Sequence, residues 1–243
     1  MLIAIITDLH ANLEATQAVF REIDKRKPDH IICLGDLTGY NANPNEAVEI
    51  IRDRHIPTVM GNHDAAVCGL EDPWFFRSAA KKAIEWQFEE LSDDNRRWLS
   101  CAPEQITFHG ECLGVHGSPS SRDDYIIDWL DAIRQMEYLN GRNVNVVFFG
   151  HSHRPAFFGE KGANQSTQHG SVCQLVPFSR HFINPGAVGQ PRDHDPRACF
   201  GLFDAEKRLF EFCRVEYDIE ACARKIIQAG LPVELAKRLE KGK

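Results

Sequence analysis

The stretch Leu2-Ile3-Ala4-Ile5-Ile6-Thr7-Asp8-Leu9-His10 is an apolar run of strand length that stops at two potential metal ligands. Four later segments repeat the pattern. His30–Gly35 runs into Asp36, Pro57–Gly61 into Asn62-His63-Asp64, Cys112–Val115 into His116, and Val144–Gly150 into His151-Ser152-His153. A strand of about six residues buries its body and carries its last side chain past the sheet edge. Five parallel or mixed strands that end this way bring carboxylates, an amide and imidazoles to one rim.

Between these runs the first third alternates strand and helix. Leu13, Val19, Phe20 and Ile23 share one face of a helix over Asn12–Lys27. Pro44 opens a second helix through Arg54, with Asn43 as its cap. Such βαβ repeats predict a mostly parallel sheet with right-handed crossovers. Lys81–Leu91 and a segment from Ser92 to Ser100 read as helices, 104–116 as a hairpin, and Ile126–Leu139 as a helix. Beyond 153 the pattern turns strand-rich: Pro155–Phe158, Val172–Val176, His181–Asn184, Ala198–Asp204 and Leu209–Tyr217. Gly159–Gly170 reads as a mobile polar loop, and Ile219–Gly230 and Pro232–Lys241 as closing helices. With no repeat and no linker, residues 1–243 are expected to form a single domain of two packed sheets with outer helices.

The formal net charge of −7 disfavours a broad footprint for duplex nucleic acid or an anionic membrane surface. It leaves a small phosphate compound open as partner, because bound cations reverse the field locally. The eight cysteines lack Cys-x-x-Cys spacing, and several sit in apolar runs such as Ile31-Ile32-Cys33-Leu34. They read as small buried hydrophobes in a reducing compartment. The short apolar start stops at Asp8 without a basic leader, so it reads as a strand and not a signal peptide. A cytoplasmic location without a membrane span is expected. Oligomeric state is not legible.

Asp8 and His10 stand two residues apart, a spacing that lets both face one site. Asp36 follows Gly35, where the missing side chain permits close backbone approach. Asn62 offers a neutral carbonyl oxygen, and His116, His151 and His153 offer imidazole nitrogen. Two divalent cations among these groups would face only two carboxylates, leaving a net positive site that attracts phosphate. Mixed nitrogen and oxygen ligation suits transition metals; manganese is expected, with iron, zinc, cobalt or nickel as alternatives. His63, beside Asn62, would face substrate as a proton donor, with Asp64 orienting its ring. Each residue alone also has an ordinary use: Asp8 and Asp36 as helix caps, Asn62 in a turn, Asp64 as a cap.

Asp8-Leu9-His10, Gly35-Asp36, Gly61-Asn62-His63-Asp64, His116 and Gly150-His151-Ser152-His153 together resemble the calcineurin-like metallophosphoesterase superfamily. Asn184-Pro185-Gly186-Ala187-Val188-Gly189-Gln190-Pro191-Arg192 and Gly35–Tyr40 are similar to its small single-domain bacterial phosphodiesterase and phosphatase branch. The resemblance implies a four-layer α/β/β/α sandwich, two mixed β-sheets flanked by helices. It implies one metal held by Asp8, His10, Asp36 and His153, a second by Asp36, Asn62, His116 and His151, and an acid role for His63. The Ser/Thr protein phosphatases of the superfamily carry an arginine after the Gly-Asp motif. Here Leu37-Thr38-Gly39-Tyr40 stands instead, which speaks against a phosphoprotein phosphatase.

The expected activity is therefore hydrolysis of phosphomono- or phosphodiesters by metal-activated hydroxide, with nucleotides as preferred substrates. The alternatives are a catalytically silent scaffold of the same fold and a nucleotide-sensing protein. Arg192 and Tyr40 are the candidate substrate-binding residues. Asn12 and Asn41 either line the pocket or form turns, and Trp74-Phe75-Phe76 either joins the core or forms a lid over a nucleobase.

Overall fold

The computed structural model describes residues 1–161 and 167–243. Its elements run β1 (Leu2–Ile6), α1 (Leu13–Arg26), β2 (His30–Cys33), α2 (Pro44–Asp53), α3 (Asn62–Val67), α4 (Ser78–Glu90), α5 (Asp93–Leu99), β3 (Gln105–Phe108), β4 (Cys112–Val115), α6 (Trp129–Tyr138), β5 (Val146–Phe148), β6 (Ala156–Gly159), β7 (Val172–Gln174), β8 (His181–Asn184), β9 (Ala198–Asp204), β10 (Leu209–Val215), α7 (Ile219–Gln228) and α8 (Val233–Leu239). The expected Gly159–Gly170 loop falls partly on 162–166, outside the described residues.

The strands form two mixed five-stranded sheets, ordered β2-β1-β9-β10-β7 and β3-β4-β5-β8-β6. In the first, β1 runs parallel to β2 and antiparallel to β9. In the second, β4, β5 and β8 run parallel. Strand alternation explains the layering. Ile3 and Ile5 point inward with Phe203, Phe210 and Phe212 to meet Val146, Phe148 and Ile183 of the second sheet. Ala4 and Ile6 point outward with Phe200 and Leu202 onto Val19, Phe20 and Ile23 of α1. The far face of the second sheet packs Leu113, Val147 and Phe182 against Ala132 and Met136 of α6. This is the expected four-layer α/β/β/α sandwich. Phe148 ties its middle together, with ring centroids 5.8 Å from Phe108, 5.3 Å from Phe203 and 5.8 Å from Phe210. A fully buried ring such as Phe148 contributes about 2–3 kcal/mol by burial.

Three expectations about the fold need correction. The sheet that begins with β1 and β2 is not mostly parallel, because only that pair runs parallel while β1–β9, β9–β10 and β10–β7 run antiparallel. Pro57–Gly61 is not a strand; a single bridge joins Thr58 to Cys33. Val59 N–H still donates to Cys33, but Met60 N–H turns away to the Pro103 carbonyl, and the ladder ends there. Asn62-His63-Asp64 accordingly forms the first turn of α3 and is not a strand-end loop. Asn43 occupies the N-cap position of α2 without a side-chain capping bond; its side-chain NH2 donates to Glu46. Among the described residues, no helix is long and apolar enough to cross a membrane.

Candidate metal centre

The ligand-bearing loops leave β1, β2, β4 and β5 at their carboxyl ends, so the rim is shared by both sheets. Beyond β1 and β2 the two chains stay stitched together. Asp8 N–H donates to Gly35, His10 N–H to Asp36 and Ala11 N–H to Leu37, at 2.8–3.0 Å. Holding these short loops tight forces left-handed backbone at Asp8, His10, Asp36, His151 and His153, with φ between 47° and 64°. Such angles cost side-chain-bearing residues about 1–2 kcal/mol each, strain that concentrates on the five ligands.

Two groups of donor atoms meet there, each within 4.8 Å: Asp8, His10, Asp36 and His153, and Asp36, His116 and His151, all buried. Asp36 is common to both. Its Oδ2 lies 3.5 Å from His10 Nε2 and 3.3 Å from His116 Nε2. Asn62 Oδ1 sits 3.1 Å from His116 Nε2, and His151 Nδ1 3.2 Å from the same nitrogen.

Backbone carbonyls fix the imidazole tautomers. His10 Nδ1 donates to Thr38 O at 2.7 Å, His153 Nδ1 to Gln190 O at 2.6 Å and His116 Nδ1 to Leu34 O at 2.8 Å. A carbonyl only accepts, so each Nδ1 carries its proton and each Nε2 faces the cluster. Asp8 Oδ2, Asp36 Oδ2 and His151 Nε2 are buried without a hydrogen-bond partner among the described residues. The donor set is that of divalent transition-metal ions, and these orphaned atoms fit them.

The electrostatics agree. Burial, opposed by His116 and reinforced by Asp36, pushes Asp8 up to about 7. Burial also disfavours the Asp36 charge, yet His116, His63 and His10 hold it well below the usual carboxylate range. Burial resists a proton on His116, but Asp36 and Asp8 overcome it and raise the ring to about 10. Burial lowers His151 to about 3 and drives His10 and His153 well below their ordinary value. Two carboxylates thus share one imidazolium, while neutral rings aim lone pairs at them; added cationic charge relieves both.

The model of the calcineurin-like phosphoesterase superfamily domain matches residues 1–208. The chain belongs to this superfamily. It is 37% identical over 248 residues to an uncharacterized protein of Methanocaldococcus jannaschii, covering 100% of this chain and 98% of that one. A solved metallophosphoesterase from Sphaerobacter thermophilus is 36% identical with a TM-score of 0.88, over 100% of this chain and 99% of the other. A hypothetical protein from Pyrococcus horikoshii shares the fold, with a TM-score of 0.83 at 20% identity, over 100% and 98% of the two chains.

Around the centre of this phosphoesterase-family chain, His63 stands on the first turn of α3. Its ring lies 4.8 Å from His10, 4.5 Å from Tyr40 and 4.8 Å from Phe76, centroid to centroid. Its Nδ1 has no hydrogen-bond partner among the described residues. Asp64 turns away from that ring: its Oδ1 accepts from Thr38 N and Oγ1 at 3.0 and 2.9 Å, its Oδ2 from Gly61 N at 3.2 Å. It fastens the Thr38 loop to α3. Arg192 Nη2 donates to Tyr40 OH at 2.9 Å, and Arg192 Cζ lies 5.5 Å from the Tyr40 ring centroid. Asn12 caps α1 and donates to Gly189, and Asn41 donates to the His10 carbonyl, so both brace loops. Trp74 and Phe75 are exposed, and only Phe76 packs inward.

Two supporting residues escaped the reading of the sequence. Gln87 is fully buried; it accepts from Gly39 N at 2.6 Å and donates to Asn41 O at 2.6 Å, holding the loop beneath His63. Its signal was an amide on the stripe Ala80, Ala83, Ile84, Gln87 that α4 buries. Asn184, at the end of β8, donates to Gly150 O and Ser152 Oγ and so sets the loop that carries His151 and His153.

Proposed function

We propose that the protein is a metal-dependent hydrolase of phosphomono- or phosphodiesters, with nucleotides as substrates and the cytoplasm as its compartment. The observation that carries the reading is the paired donor set with Asp36 Oδ2 between His10 and His116. Divalent transition-metal ions, manganese foremost, would supply Lewis acidity there and bring the pKa of water toward neutrality when bound. Asp8, His10, Asp36 and His153 would hold one such ion and Asp36, Asn62, His116 and His151 the other. Arg192 orients the phosphate from the Tyr40 side. His63 presents an N–H to the leaving oxygen. Burial lowers its pKa to about 4, so the neutral ring donates a hydrogen bond, and an anionic substrate beside it favours its protonation. Eight free cysteines support the reducing compartment.

The test is turnover of cyclic nucleotides, nucleoside monophosphates and dinucleoside polyphosphates with added Mn²⁺. His63→Ala is expected to keep its metal and lose about 10²- to 10⁴-fold in kcat. No turnover with any metal, alongside tight nucleotide binding, overturns the enzyme in favour of a sensor.

A further inference from the structure

The ring of Tyr40 carries two cations. Arg192 Cζ lies 5.5 Å from its centroid and Arg238 Cζ lies 5.9 Å from it. Arg238 comes from α8, beyond residues 1–208 that match the superfamily. The same ring sits 4.5 Å from His10 and 4.5 Å from His63, so both guanidinium groups stand one ring away from the metal centre.

Among the described residues, neither arginine pairs with a side-chain carboxylate. Arg192 spends Nε and Nη2 on Gln190 and Tyr40, and Arg238 spends Nε on the main-chain oxygen of Lys243 at 2.7 Å. Nη1 of Arg192 and both Nη atoms of Arg238 keep their donors, and none of them is sealed from solvent without a partner. Burial first, then the charges of Arg192 and Arg77, depress Arg238, while Glu234 on its own helix acts only through space. Two guanidinium charges placed over one ring repel each other, and a fork of unused donors matches phosphate oxygens.

We propose that Arg238 and Arg192 form a second anion subsite beside the metal centre, which holds a phosphate adjoining the one being cleaved. The substrate class is then a compound with consecutive phosphates, such as a nucleoside diphosphate or a dinucleoside polyphosphate, in preference to an isolated phosphoester. This rests on the hydrolase reading above, but binding tests it without turnover.

The experiment titrates manganese-loaded wild type, Arg238→Gln and Arg238→Lys with inorganic phosphate and with methylenediphosphonate, an uncleavable diphosphate mimic. Chelation in solution is common to all three and cancels in the comparison. Arg238→Gln is expected to weaken the diphosphonate about tenfold and phosphate by less than about threefold, and Arg238→Lys to recover part of the difference. Equal weakening of both ligands, or of neither, overturns the subsite. Melting curves confirm that each variant is folded. If wild type binds diphosphonate through Arg238 yet cleaves no phosphate compound, the subsite stands and the hydrolase reading fails.

Discussion

The Nε2 atoms of His10 and His153, 143 residues apart in the chain, face each other at 3.0 Å while each ring donates its other N–H to a backbone carbonyl. Two neutral lone pairs cannot bond to one another, so the contact is held by the carbonyls and calls for an electrophile between the rings. The tautomers are set by main chain from residues 38 and 190, so the arrangement belongs to the fold itself.

Asp36→Asn is expected to impair both metal positions, since one oxygen of Asp36 faces His10 and His116 alike. Metal analysis should find clearly fewer than the wild-type equivalents, and activity should fall at least about 100-fold. A variant retaining the full wild-type content refutes the shared role.

Removing metal should lower stability. An ion present at about 100 times its dissociation constant adds about 2.7 kcal/mol, or about 5–10 °C in Tm for a chain of this size. Chelation should therefore lower the melting temperature by that amount and Mn²⁺ should restore it. Asp36→Asn should show a much smaller response.

Gly39→Ala should disable the site while leaving the chain folded. Gly39 has φ +95°, and an added Cβ would lie 2.3 Å from His63 Nδ1 and 3.0 Å from His10 Nδ1. The left-handed backbone costs about 1–2 kcal/mol. Displacing His63 by about 1 Å costs about 100-fold in kcat. Wild-type kcat in a folded Gly39→Ala protein argues against His63 acting on substrate.

Acid stability should depend on His181, which burial lowers to about 4 and whose Nε2 accepts from Val176 N–H at 3.2 Å. The unfolded chain takes up this proton below its ordinary value near 6.5, the folded chain only near 4. Stability therefore falls as pH drops between those values and levels off below. From pH 7.5 to 5, His181→Gln should lose about 2 kcal/mol less than wild type in denaturant titrations. Equal losses in the two proteins would show that His181 does not govern this range.

Most of the centre was legible because strand ends announce themselves: Ile6 to Asp8, Leu34 to Asp36 and Val115 to His116 each pass from apolar to ligand within two residues. The split into two sheets was less so. β1 takes β9 as its second neighbour, almost two hundred residues later, and no local pattern records that pairing. Pro57–Gly61 misled because its apolar content serves a bend toward Pro103 as well as it would a ladder. The role expected for Asp64 rested on adjacency to His63, but on a helix neighbouring side chains diverge, and its carboxylate goes to Thr38 and Gly61. Gln87 and Arg238 were silent, since a buried amide and a cation on a late helix look like any others until the chain is folded.

Both donor groups draw on the late loop at 151–153, so a chain still being synthesised holds neither of them until that loop has left the ribosome. Cation capture at either group therefore waits until more than half of the chain has emerged, so an early fragment offers the ion no complete donor set.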